Sequence, residues 1–137
     1  MTRIFSSGCF VGFFLLISCA RDEDYFQVMR EQREAMKEVA DVLETVQDEK
    51  SMADAKASLE RLNYKFASIA QKANALPKPP PREVLKRMEE DKHFTQRNLD
   101  RLRAQVERVS KLPGGAQLWK QFESNSDRKS TRLNSSH

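Results

Sequence analysis

Glycine is missing between Gly12 and Gly114, and proline is missing before Pro77. A chain so poor in backbone breakers has no glycine-rich loop to cradle a phosphate and few tight turns. Cysteine occurs only at Cys9 and Cys19, so the 118 residues that follow have no thiol for a disulfide, a metal site or a nucleophile. Histidine is nearly absent as well. His93 and His137 are the two, and no H-x-x-x-H or C-x-x-C-H pattern includes either. There is no G-x-S-x-G context for a serine nucleophile. Long apolar runs are confined to the first twenty residues.

Those twenty residues read M-T-R-I-F-S-S-G-C-F-V-G-F-F-L-L-I-S-C-A. One positive residue, Arg3, is followed by an apolar run from Phe10 to Ile17 and then by small residues. This is the layout of an export signal, and it is short for a bilayer span. The run Leu16-Ile17-Ser18-Cys19 resembles the lipobox of bacterial lipoprotein precursors, with Leu at −3, a small residue at −1 and Cys at +1. The resemblance implies cleavage between Ser18 and Cys19, a diacylglycerol on the Cys19 thiol and acylation of the new amine. Cys9 also follows a glycine, but Ser6 stands where the apolar residue belongs. Two alternatives stay open: secretory cleavage after Ala20, since Ser18-Cys19-Ala20 fits the small-x-small rule, and a retained membrane anchor. Ala20 rather than Asp after the cysteine favours outer-membrane sorting, by analogy with enteric bacteria.

The other end carries a second oddity. Asp127 to His137, D-R-K-S-T-R-L-N-S-S-H, resembles the translation of a short-read sequencing adapter. On that reading the segment is foreign to the protein and stays outside fold reasoning. The formal charge of +4 then changes meaning. Residues 20–126 hold 20 Lys and Arg against 19 Asp and Glu, so the basic character came mostly from Arg3, Arg128, Lys129 and Arg132. A nucleic-acid partner is not expected without a concentrated basic footprint. Charge is still uneven: residues 21–49 sum to −6 and residues 50–126 to +7. The simplest account is an acidic first helix lying against more basic partners. The alternative is a basic face for anionic headgroups.

Between these ends the composition is that of helices. Tyr25, Met29, Gln32, Met36, Val39, Leu43 and Val46 step alternately by four and three. Met52, Ala55, Leu59, Leu62, Phe66, Ile69, Ala73 and Leu76 repeat the rhythm without a polar break. Leu85, Met88, Lys92, Thr95, Leu99, Leu102, Val106 and Val109 keep it with a polar middle. Such a 3.5-residue period is the seam of coiled-coil-like packing. Ser51 is a candidate N-cap with Asp54 three residues on. Pro77-Lys78-Pro79-Pro80-Pro81 should stop the second helix and form a stiff spacer. Leu112-Pro113-Gly114-Gly115 should stop the third. Trp119, with Leu118 and Phe122, should close the open end of the bundle, or else anchor a partner.

The expected fold is therefore all-α: an elongated antiparallel three-helix bundle with a short fourth helix. The expected divisions are a signal peptide 1–18, a tether 19–24, a bundle 25–124 with helices 23–48, 52–76, 81–112 and 116–123, and the tail 127–137.

No residue set suggests catalysis. Met29, Met36, Met52 and Met88 fall on the seams, where Met is a core filler more often than a ligand. A metal-binding stress protein using Met and His93 is the outlying alternative. Glu89-Glu90-Asp91 beside His93 reads as a solvated face. The polar seam residues Gln32, Lys92 and Thr95 either fix helix register or mark where the bundle opens to a ligand. No enzyme activity, cofactor or metal is expected.

Finally, D-V-L-E-T-V-Q-D-E-K-S, A-L-P-K-P-P-P and L-P-G-G-A-Q-L resemble stretches of uncharacterised small exported helical proteins of planctomycete-type bacteria. The resemblance covers most of residues 26–122, rests on helix stops and caps, and implies a bundle without an assigned activity. The overall expectation is a lipid-anchored, periplasm-facing structural or protein-interaction module. It would meet the membrane through Cys19 and a protein partner or second copy through its seams. A ligand-binding or chaperone-like module is the alternative.

Overall fold

The computed structural model describes residues 21–135, which form five helices packed against one another, with no strand among the described residues. They are α1 (Asp22–Glu44), α2 (Glu49–Ala75), α3 (Arg82–Glu90), α4 (Lys92–Ser110) and α5 (Gly115–Ser135). The signal peptide, Ser18, Cys19 and the end of the tail at Ser136 and His137 lie outside the described residues.

Local chemistry sets most helix ends. The Asp24 carboxylate accepts the Arg21 backbone N–H at 3.1 Å and so caps the start of α1. Asp48, rather than Ser51, is the N-cap of α2: its carboxylate accepts the Ser51 backbone N–H at 2.8 Å, and the Ser51 hydroxyl accepts the Asp48 N–H at 3.0 Å. The box is real, but it sits three residues earlier than the sequence suggested. Helix α2 ends before Pro77, as the fixed φ of proline requires. The Tyr25 hydroxyl donates to the Pro77 carbonyl and ties the proline spacer to the start of α1.

Two expectations about the later helices change. The stretch 81–112 is not one helix, because it breaks at Asp91 into α3 and α4. The segment 116–123 is only the first part of a longer helix that runs on to Ser135. The turn between α4 and α5 depends on two glycines. Gly114 has φ +79°, the left-handed region that glycine enters at no steric cost. A Cβ on Gly115 would sit 1.8 Å from the Val109 carbonyl oxygen, so only glycine lets α5 start this close to α4.

The four long helices form a ring in the order α1, α2, α5, α4: the backbones of neighbours approach closely and those across the diagonals do not, among the described residues. Helices α1 and α2 run antiparallel, with Glu31 facing Lys72 and Glu38 facing Lys65. Helices α1 and α4 run parallel: Arg33 meets Asp91, Asp41 meets Arg101, and Arg108 reaches the Val46 carbonyl. The antiparallel α1–α2 pair is as expected, and a third long segment parallel to the first follows from the same up-down-up order. What differs from the expected three-helix bundle is that α4 makes no close backbone approach to α2 among the described residues. The proline spacer carries the chain across the ring, so the third long segment lands beside α1 and leaves α2 to pair with α5.

The core sits toward the end of the bundle that holds the α1–α2 and α4–α5 turns. Val39, Leu43, Val46, Ala55, Leu59, Leu62, Val109, Leu118 and Phe122 are buried together there. Trp119 is half-buried with its ring 5.2 Å from Phe122, and Phe66 meets Phe122 edge-on at 6.3 Å. Asn63, 2% exposed, is satisfied by the Ser126 hydroxyl, which donates to its Oδ1. The opposite end has fewer apolar groups, chiefly Tyr25, Ile69 and Val84.

Candidate functional site

The thinly packed end contains a cleft between α1 and the α3–α4 break. Its volume is about 330 Å³, and its walls are Met29, Gln32, Arg33 and Met36 from α1 and Met88, Asp91, Lys92, Thr95 and Gln96 from α3 and α4. The helical period explains the α1 wall. Positions 29, 32, 33 and 36 follow the i, i+3, i+4, i+7 rule and share one face. The seam residues Gln32, Lys92 and Thr95, separated by about sixty positions in sequence, do come together here, as do three of the four seam methionines. Met52 does not; it packs against the core near Gly114.

Asp91 is the residue that sequence reasoning undervalued. In sequence it reads with Glu89 and Glu90 as a solvated face, yet it is buried while both glutamates are exposed. Its Oδ2 lies 3.3 Å from Arg33 Nη1 and 3.6 Å from Arg87 Nε. Its carbonyl oxygen accepts the Phe94 and Thr95 N–H groups and the Thr95 hydroxyl. The Asp91 side chain thus joins α1 to α3 at the helix break, while its backbone carbonyl holds the first turn of α4. The available signal was positional: Asp91 falls at the gap in the apolar rhythm between Met88 and Thr95.

The other cleft groups are looser. The Lys92 ammonium is mostly exposed and has a 3.4 Å contact with Glu89. Gln32 is exposed, and Gln96 donates to Asp100 at 2.9 Å. Met88 is 48% exposed and forms a lip. His93 is exposed and outside the lining. Among the described residues, no three His, Cys, Asp or Glu side chains converge as a metal site would need. No described helix is long and apolar enough to cross a membrane.

Charge outside the cleft holds the helices in register. Lys72 hydrogen-bonds both Glu31 oxygens, at 2.9 and 2.8 Å, and with help from Gln27 it holds the Glu31 carboxyl below its ordinary range. Hydrogen bonds from Ser51, backbone first and then side chain, lower Asp48 likewise. Arg101 hydrogen-bonds Glu44 and Asp41, which raises the guanidinium above its ordinary value. The acidic side of α1 therefore meets basic partners on two helices, which accounts for the opposite charges of the two parts of the chain.

The arrangement sets three methionines beside six polar or charged residues in one cleft. It has the elements of a binding surface. Comparison with protein-family models, with curated proteins and with solved structures returns no match to this chain.

Proposed function

We propose that this protein is a lipid-anchored, non-enzymatic module of the cell envelope that faces the periplasm, in the outer membrane, and acts through protein interaction or as a structural element. The observation that carries this reading is Leu16-Ile17-Ser18-Cys19, placed just ahead of a helix that starts at Asp22. An acylated Cys19 would hold the bundle close to the membrane on a tether of a few residues. The residues 127–137 are read as a translated adapter, so the native part of α5 is taken to be Gly115 to Ser126. Resequencing the locus tests that reading, which falls if the genome encodes D-R-K-S-T-R-L-N-S-S-H.

Metabolic labelling of the host with an alkyne fatty acid tests the anchor. The expected result is label on the wild-type protein and none on Cys19→Ala, which should accumulate as the longer precursor. Equal labelling of both forms, or of neither, contradicts the proposal.

A second reading has its own support. The cleft between α1 and α3–α4 favours a ligand-binding or chaperone-like module, because it joins an apolar lining to a small polar edge. Saturable fluorescence enhancement of an apolar dye, reduced by Met36→Glu, supports that reading. A dye that stays dark removes it.

A further inference from the structure

We propose that this cleft binds a single-chain amphiphile with an anionic head, chemically a medium-chain monocarboxylate. The inference rests on the ligand-binding reading above and goes further by naming the ligand class.

Size and shape argue first. A volume of about 330 Å³ lies at the low end for ligand sites, so it suits one chain. A partner helix is about 10 Å across with its side chains and calls for a longer, wider groove. The apolar lining points the same way. Met29, Met36 and Met88 are unbranched and polarizable, and such side chains conform to a flexible alkyl chain without a fixed shape of their own.

Charge selects the head. Arg33 and Lys92 both line the cleft, and the acidic group there is Asp91. The Asp91 side chain is only 12% exposed and is already engaged by Arg33 and Arg87, so it presents little negative charge to an incoming ligand. Lys92, by contrast, is 69% exposed, and its pairing with Glu89 is an i,i+3 surface contact of the weak kind. Arg33 uses one nitrogen on Asp91 and has further N–H groups in its fork. A carboxylate set between Lys92 and Arg33, with the Gln32 amide within the same lining, would leave its chain on the methionines. A cationic head would meet two positive groups at that edge, and a neutral head would forgo the ion pair.

Methyl NMR of the full chain, with labelled methionines and decanoate, decanol and decylammonium as probes, tests the inference. The methyl signals of Met29, Met36 and Met88 should shift saturably with decanoate, while Met52, at the other end of the bundle, stays still. Decanol should bind about fivefold more weakly or worse, and decylammonium not at all. Lys92→Gln, an exposed change that leaves the core intact, should weaken decanoate about threefold and leave decanol unaltered. Met88→Glu should abolish decanoate binding. Equal affinity for decanoate and decanol overturns the anionic head and leaves the ligand-binding reading standing. Shifts at Met52 that track the other three mean unspecific partitioning and overturn the site. No shift with any probe, together with no binding of an apolar dye, overturns both the ligand class and the ligand-binding reading.

Discussion

Arg108 is the side chain on which the parallel pairing of α1 and α4 can be tested. It belongs to α4, but its guanidinium closes the end of α1. Nη2 donates to the Leu43 carbonyl at 2.6 Å and Nη1 to the Val46 carbonyl at 2.8 Å. The last turn of α1 has no basic residue of its own, so Arg108 supplies the cation that the negative helix end favours. Leu43 and Val46 are fully buried, and the two bonds lie in partly buried surroundings. A hydrogen bond to a charged group contributes about 1.5–3 kcal/mol. Water can reach part of this site, which discounts the pair, so Arg108→Ala should cost about 2–4 kcal/mol. Arg108→Lys keeps the charge but loses the planar fork and cannot reach both carbonyls in the same way, so it should cost about half as much. Urea denaturation followed by circular dichroism measures both. An Arg108→Ala protein within about 0.5 kcal/mol of wild type, the range of an ordinary surface change, would refute the proposed cap and with it the register of α4 on α1.

Other perturbations bear on separate parts of the account. Gly115→Ala places a Cβ where the Val109 oxygen sits at 1.8 Å, so the α4–α5 turn must shift; a loss of about 2 kcal/mol or more in thermal or urea unfolding is expected. Asp91→Ala removes the acid shared by Arg33 and Arg87 and should cost about 1–2 kcal/mol, with amide exchange quickened first in α3. The Glu31 and Asp48 carboxyls are both held below their ordinary values, 4.5 and 3.8. Their contributions are therefore complete above those values and are lost as pH falls through the lowered folded-state values. Unfolding midpoints should fall at acid pH below about 4, and Glu31→Gln should flatten that dependence.

Parts of this structure were written plainly in the sequence. The unbroken alternation from Met52 to Leu76 gives α2 its buried face, and Pro77 gives its end. The opposite charges of residues 21–49 and 50–126 foreshadow the ion pairs from α1 to α2 and α4. The cap of α2 was displaced because Asp48 and Ser51 are both good capping residues, and only the geometry of the turn selects Asp48. The break at Asp91 has no proline or glycine to announce it. It falls where the side chain turns inward to Arg33, a partner fifty-eight residues away. The separation of α4 from α2 was hidden for the same reason: the contacts that seat α4 on α1, such as Arg101 with Asp41 and Glu44, are long-range. Helix α5 extends past Glu123 because nothing from Ala116 onward breaks a helix. Of the cleft, Gln32, Lys92 and Thr95 were legible as interruptions in an apolar rhythm. The pairing of Asp91 was not.

The intact mass of the native protein, extracted from the membrane fraction of its own host, tests the central claim most directly. The account predicts a chain that begins at Cys19, is heavier by a diacylglyceryl group and one further acyl chain, and lacks the residues D-R-K-S-T-R-L-N-S-S-H. A soluble, unacylated species that begins at Arg21 and ends at His137 would contradict it: the bundle would be free of the membrane, the basic tail genuine, and anionic partners the first to pursue.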